Sequence, residues 1–135
     1  MKINSIFVFI GENNSRYRNY KRISEIDDNN LKQGYWEGYW SNGLLREKGN
    51  YVNGVKEGYW EYYHENGVIW YKGNYVNGVQ QGYWENYWNN GKLWSKGNYK
   101  NGIYDGYWEF YLENGKLWVK GTYVNGKYYE DKKNI

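Results

Sequence analysis

Cysteine and proline are both absent from these 135 residues, and histidine occurs once. Without cysteine, neither a disulfide framework nor a thiolate metal site can form, so the fold must hold by packing and strand pairing. Without proline, nothing interrupts a ladder in which nearly every internal residue donates to one side or the other. Aliphatic residues are also scarce. The mean hydropathy is −1.12, and no apolar run approaches the roughly 20 residues a membrane-spanning helix needs. The short apolar run at residues 6–10 is too brief for a signal-peptide core, and no small-residue cleavage site follows it, so a strand is expected there. On these grounds the chain reads as a soluble, cytoplasmic protein. Charge of one sign is lacking too: 18 basic and 15 acidic residues give +3, spread along the chain, which does not suit a dedicated nucleic-acid binder.

What is abundant is aromatic. Tyr (19) and Trp (9) make up most of the 23% aromatic content. Disordered chains of comparable polarity are poor in such residues, and each Tyr or Trp carries a large apolar area to bury. A folded chain with a thin aromatic core follows.

The sequence Gly-Tyr-Trp-Glu begins at Gly34, Gly58, Gly82 and Gly106, a repeat with a constant period. Each unit carries two Asn-Gly pairs separated by aromatic runs. The first set is Asn42-Gly43, Asn66-Gly67, Asn90-Gly91 and Asn114-Gly115, and the second is Asn53-Gly54, Asn77-Gly78, Asn101-Gly102 and Asn125-Gly126. Asn-Gly between such runs is a strong hairpin signal, because both central residues of a type I′ turn need positive φ. The expected fold is therefore all-β, a single elongated, twisted antiparallel meander of repeated β-hairpins. Residues 1–33 form a divergent N-terminal unit or cap, 34–129 the four 24-residue repeats, and 130–135 a charged C-terminal tail that blunts the last edge.

A two-residue first turn predicts a register. Glu61 falls opposite Lys72, Trp60 opposite Gly73, Tyr63 opposite Trp70 and His64 opposite Ile69. The same register sets Glu37, Glu85 and Glu109 against Lys48, Lys96 and Lys120, and sets a Trp over a strand Gly in every unit. The second turn stays open between two residues and a longer loop. Alternation then puts Trp60, Tyr62, His64, Ile69 and Tyr71 on a packed face. Tyr59, Glu61, Tyr63, Trp70 and Lys72 share the other face, which becomes the candidate binding surface. Its candidate partner-binding residues are Tyr39, Arg46, Tyr63, Trp70, Tyr87, Trp94, Tyr111 and Trp118.

With Gly-Tyr-Trp-Glu-Tyr-Tyr-His-Glu-Asn-Gly at 58–67 and Lys-Gly-Asn-Tyr-Val-Asn-Gly at 72–78, the chain resembles the MORN-repeat family. It is most similar to the shorter bacterial variant, whose members often go by the name of antitoxin components. The resemblance spans about residues 31–129. It implies a single-layer twisted sheet whose aromatic groove holds partner proteins, acting as a scaffold or binding module.

Catalytic chemistry finds no support in the residues. An enzyme should show unrepeated polar groups, whereas nearly every polar residue here recurs once per unit. His64 has Trp or Leu as its counterparts and reads as a surface substitution. The repeated Glu residues each have a Lys opposite, which argues for an ion-pair ladder rather than paired catalytic carboxylates. The glycines sit singly, not in a phosphate loop. No cofactor or metal is expected. The segment 15–22 does break the repeat, and its Arg16, Arg18, Lys21 and Arg22 interleave with Tyr. It reads either as a cap strand with a basic solvent face or as a contact for phosphate or an acidic surface, nucleic acid included. Three functions follow: a protein-binding module, in concrete form an antitoxin-like or phage-type inhibitor of a toxin or defence enzyme; a glycan or cell-surface binder; or a self-associating structural scaffold.

Overall fold

The structure is a computed structural model that describes residues 4–8 and 21–132, with side chains from residue 26 onward. The described residues form one open antiparallel meander, in which each strand pairs with the next in chain order. Its strands are β1 (Asn4–Val8), β2 (Lys21–Ile26), β3 (Lys32–Tyr39), β4 (Leu45–Val52), β5 (Val55–Tyr63), β6 (Ile69–Val76), β7 (Val79–Tyr87), β8 (Leu93–Lys100), β9 (Ile103–Tyr111), β10 (Leu117–Val124) and β11 (Lys127–Glu130). The all-β expectation holds, and β1 covers the first part of the apolar N-terminal run.

The two Asn-Gly sets adopt different turns: the two-residue turn expected of the first set is not found there, and the second set, left open by the sequence, is the one that forms it. The second set forms the tight turns: Asn53 and Gly54 have φ of 49° and 79°, and Val52 pairs directly with Val55. The same geometry recurs at Asn77, Asn101 and Asn125. These are two-residue type I′ turns, whose twist suits the flanking strands. The first set forms longer loops. The His64 amide donates to the Val68 carbonyl at 2.8 Å, and the Gly67 amide donates back to the His64 carbonyl at 2.9 Å, with only Gly67 at positive φ. Asn66 uses its side chain instead: Oδ1 accepts from the Val68 amide at 3.0 Å, and Nδ2 donates to the Asn89 carbonyl of the next unit at 2.8 Å.

The longer loop corrects the register near the turn. Tyr63 pairs with Ile69 rather than Trp70, and Tyr62 then pairs with Tyr71, so Trp70 is an extra, bulged residue. Arg46, Trp94 and Trp118 are bulged in the same way in β4, β8 and β10. The bulge cancels the offset of the turn, so Glu61 opposite Lys72 and Trp60 opposite Gly73 are as expected.

The core is a row of indoles, one from each of three units. Trp60, Trp84 and Trp108 are 0% exposed. Each lies over the glycine of the preceding unit, at Gly49, Gly73 and Gly97, where a Cβ would overlap the ring. The sequence expectation put each Trp over the glycine of its own hairpin. Trp84 and Trp108 are in fact ladder partners of a glycine on both sides, Trp84 of Gly73 and Gly97 and Trp108 of Gly97 and Gly121, and each indole leans back over the earlier one. Its Nε1 donates to the carbonyl of Asn50, Asn74 or Asn98, again in the preceding unit. Tyr51 and Tyr75 meet these indoles edge-on, with centroids 5.0 and 5.1 Å away. Complete burial of a Trp removes 150–250 Å² from water, about 5 kcal/mol at the usual ~25 cal/mol/Å². An exposed ion pair contributes roughly 0.5 kcal/mol, so the indole row holds the sheet and the charges trim its register. At the last unit, where no further Trp follows, Tyr128 of β11 covers Gly121.

Candidate binding surface

The two faces of the sheet carry different chemistry. On one face each Glu of the repeat is held between the two Tyr that flank it along its strand. Tyr59 donates to Glu61 Oε1 at 2.9 Å, and Tyr63 donates to Oε2. Tyr107 and Tyr111 do the same for Glu109; Tyr35 and Tyr39 hold Glu37, and Tyr87 holds Glu85. The Nζ of Lys48 lies 3.1 Å from Glu61, and that of Lys96 lies 3.4 Å from Glu109. Both ion pairs therefore run to the following unit instead of closing a single hairpin. Burial works against the charged form of Glu61, but hydrogen bonds from Tyr63, Lys48 and Tyr59 outweigh it, so its carboxyl lies below the usual value. Burial and the hydrogen bond to Glu37 push the Tyr35 phenol up to about 12. Among the candidate partner-binding residues, Tyr39, Tyr63, Tyr87 and Tyr111 all lie here, half-buried, with their hydroxyls on a carboxylate.

The bulge places the other four candidates on the opposite face, beside the indole row. Because an extra residue in a strand re-aims its side chain, Trp70 leaves the face of Tyr63 and joins Tyr71, with ring centroids 5.2 Å apart. Ile69, paired with Tyr63, moves the other way. Three of the four bulged side chains rest on the residue six positions earlier. Trp70 stacks on His64 at 5.1 Å, Trp94 lies on Trp88 at 5.4 Å, and the Arg46 guanidinium sits over Trp40 at 5.8 Å. These supports are anchored in turn. Trp40 Nε1 and Trp88 Nε1 donate to the carbonyls of Tyr63 and Tyr111 at 3.0 and 3.2 Å, and His64 Nε2 lies 3.0 Å from the Tyr87 carbonyl. A carbonyl only accepts, so His64 carries its proton on Nε2 and does the job of the indole N–H. It is a working substitute within the array, not the surface substitution the sequence suggested.

The bulged tryptophans remain open to solvent, Trp70 at 39%, Trp94 at 40% and Trp118 at 58%. Between Trp70 and Trp94 on one side and the tight turns at Gly78 and Gly102 on the other lies an open groove of about 580 Å³, floored by Tyr71, Tyr75, Asn86 and Tyr99. Burial pushes the Tyr71 phenol up to about 12, so it is protonated and able to donate at neutral pH. Toward the N-terminal end the same face becomes cationic. Lys32 lies 4.1 Å above Trp36, and Lys56 lies 4.9 Å above Trp60. Among the described side chains, Glu47, 3.9 Å from Arg46, is the acidic member of this cluster.

Sequence reasoning missed the floor of this groove, along with Lys32, Lys56 and Gln80. These three share one repeat position whose identity changes from Lys to Gln to the Tyr of Tyr104 and Tyr128, and that variation was the available signal. Of the basic N-terminal set, Arg16 and Arg18 lie outside the described residues. Lys21 and Arg22 pair through their backbones with Val8 and Phe7, and their side chains are likewise outside. Among the described residues, no group of His, Asp or Glu converges as a metal site would require, and no helix is long and apolar enough to cross a membrane.

An open meander of interlocked aromatic hairpins with a regularly spaced, exposed aromatic face defines a repeat-based binding module. The chain belongs to the MORN repeat variant family, whose model matches residues 32–53, 56–77, 80–101 and 104–125. Among curated proteins none matches it.

Proposed function

We propose that the chain is a non-catalytic module that binds a partner protein through the face carrying Arg46, Trp70, Trp94 and Trp118. The observation that supports this is the contrast between the two classes of aromatic residue. The strictly repeated ones are spent on the sheet itself, as indoles over glycines or phenols on carboxylates. The bulged ones are left exposed, and Arg46, Trp70 and Trp94 among them are each supported by a ring beneath. Rigid exposed Trp and Arg are the residues that dominate interface energies. In its specific form the module is an antitoxin-like or phage-type inhibitor that covers a toxin or defence enzyme in the cytoplasm.

The test is capture from the native host with a photo-crosslinker placed beside Trp94. A partner protein recovered with wild type and lost with Trp70→Ala plus Trp94→Ala supports the reading, and equal recovery with both chains removes it. A second reading, glycan binding, is favoured by the spacing of the exposed indoles, on which sugar rings can stack. A glycan array separates it from the first.

A further inference from the structure

The bulged residues occupy equivalent positions on alternate strands, β4, β6, β8 and β10. Neighbouring strands lie 4.7–4.9 Å apart, so the row Arg46, Trp70, Trp94, Trp118 advances about 9.6 Å per step, across the strands. A ligand lying along this row cannot add to the sheet as a strand, because the backbone beneath it is already paired on both sides. It must be read by its side chains at the pitch of the row.

Three chain conformations can be compared with that pitch. Polyproline II rises 3.1 Å per residue with three residues per turn, so it repeats every ~9.3 Å on one face. An α-helix rises 1.5 Å per residue, and its seven-residue repeat spans ~10.5 Å. Over the three steps from Trp118 to Arg46, polyproline II falls short by about 1 Å while the helix overshoots by nearly 3 Å. An extended strand turns alternate side chains away and presents neighbours on one face every ~6.7 Å, out of step with the row. The surface chemistry favours the same choice. Polyproline II has no internal hydrogen bonds and leaves its carbonyls free, and the groove supplies phenols and amides from Tyr71, Tyr75, Gln80 and Asn86. Proline-rich segments dock into aromatic-lined grooves of this kind.

Charge fixes one end of the ligand. The row is Trp at three steps and Arg at the fourth, and Lys32 and Lys56 lie on the same face as Arg46, with Glu47 the acidic neighbour among the described side chains. From this we infer that the surface binds a proline-rich segment of a partner protein in polyproline II conformation. That segment has an apolar residue at each third position over Trp118, Trp94 and Trp70, and an acidic residue one further turn along, over Arg46. The inference rests on the binding face proposed above and specifies what it recognises.

The experiment uses the full chain and synthetic peptides of about twelve residues, four turns of polyproline II. Each carries proline at every third position and a terminal Asp-Glu pair. The pair is placed at the N-terminal end in one peptide and at the C-terminal end in another, because the row does not dictate chain direction. A third peptide has the same composition with the three-residue spacing scrambled. Binding is followed by tryptophan fluorescence and calorimetry, with thermal melts confirming that every variant is folded. One correctly spaced peptide should bind at least tenfold more tightly than the scrambled one, and Trp94→Ala should abolish the difference. Arg46→Glu should weaken the acidic peptide about tenfold and be rescued by a peptide ending in Lys-Lys, which no loss of folding would produce.

Equal affinity for spaced and scrambled peptides overturns the inference, as does binding of a β-linked hexose oligomer on the Trp row in preference to every peptide. Either result leaves the protein-capture test to stand or fall separately. If that capture proves independent of Trp70 and Trp94 while the spaced peptide still binds them, the broader reading fails and the groove chemistry survives.

Discussion

The indole of Trp84 lies on Gly73, a residue of the preceding unit, and occupies the space a side chain at Gly73 would need. Two hairpins thereby share one packing contact, and a Nε1–H bond of 3.2 Å from the same indole to the Asn74 carbonyl fixes its orientation. Many other side-chain bonds follow this pattern and reach into a neighbouring unit.

Gly73→Ala should therefore damage the joint between units more than its own hairpin. The methyl group meets ring atoms that cannot move without breaking the Asn74 bond, so a loss of about 2–3 kcal/mol is expected. Hydrogen exchange should show the opening centred on the β6-β7 ladder around Trp84, with β4-β5 around Trp60 less affected. Exchange unchanged at Trp84 would refute the assignment.

His64 offers a test of donor equivalence. His64→Trp restores the group found at Trp40 and Trp88 and should leave the melting temperature unchanged or raise it. His64→Phe keeps the ring under Trp70 but removes the donor to the Tyr87 carbonyl, and should cost about 1 kcal/mol. Equal stability of the two variants would show that only stacking matters.

The tight turns contain one missing contact. Gln33, Glu57 and Gln81 accept from the amides of Asn53, Asn77 and Asn101 at 3.0, 2.8 and 2.8 Å. Asp105 stands at the same repeat position with a side chain one methylene shorter, and it makes no such bond to Asn125. Asp105→Glu should supply it and stabilise the last units by roughly 0.5 kcal/mol, within the range of a net exposed hydrogen bond. Denaturant melts read the difference.

Stability should fall at both extremes of pH. The Glu61 and Glu109 carboxyls lie below their ordinary value of 4.5 in the folded chain. For Glu109 the bond from Tyr111 is the largest cause, opposed by burial and aided by Tyr107 and Lys96. A depressed folded value means that the stabilisation is present above pH 4.5 and is lost as the pH falls through the lower folded value. Replacing both residues with Gln should flatten the melting curve in that window. The phenols behave in the opposite sense. Tyr35, Tyr71 and Tyr111 titrate near 12 instead of 10. Their contribution is complete below pH 10 and is lost as the pH rises toward 12, so tyrosinate absorbance should appear together with unfolding.

Much of the fold was legible because the repeat states it four times. The ladder register that sets Glu opposite Lys and Trp opposite Gly was read correctly from an incorrect turn, while the contacts of the Trp side chains and the ion pairs of Lys48 and Lys96 run between units. Placing the turn at two residues and omitting the bulge are errors that cancel beyond Tyr62 and Tyr71. What they do not cancel is the facing of Ile69 and Trp70, and the candidate surface was therefore drawn on the wrong side for Arg46, Trp70, Trp94 and Trp118. The dipeptide Asn-Gly could not separate the two turns, but its neighbours could. Val52, Val76 and Val124 precede the tight turns and favour strand up to the corner. Ser41, Glu65, Asn89 and Glu113, polar and unbranched at Cβ, stand before the Asn-Gly of the longer loops, where the strand has already ended. The direction in which each indole leans was not encoded in register at all, since Gly73 has a Trp on either side.

The bonds from Asn42 to Glu65, Asn66 to Asn89 and Asn90 to Glu113 are one bond repeated along the array, as are those from each Trp back to the preceding Asn. Excising any whole unit would bring together ends that already fit, and inserting one would need no new joint. The sheet is in this sense a ruler with one graduation, a bulged side chain, per repeat. Changing its length by recombination would change the length of ligand it measures by one polyproline turn, without redesign of a single contact.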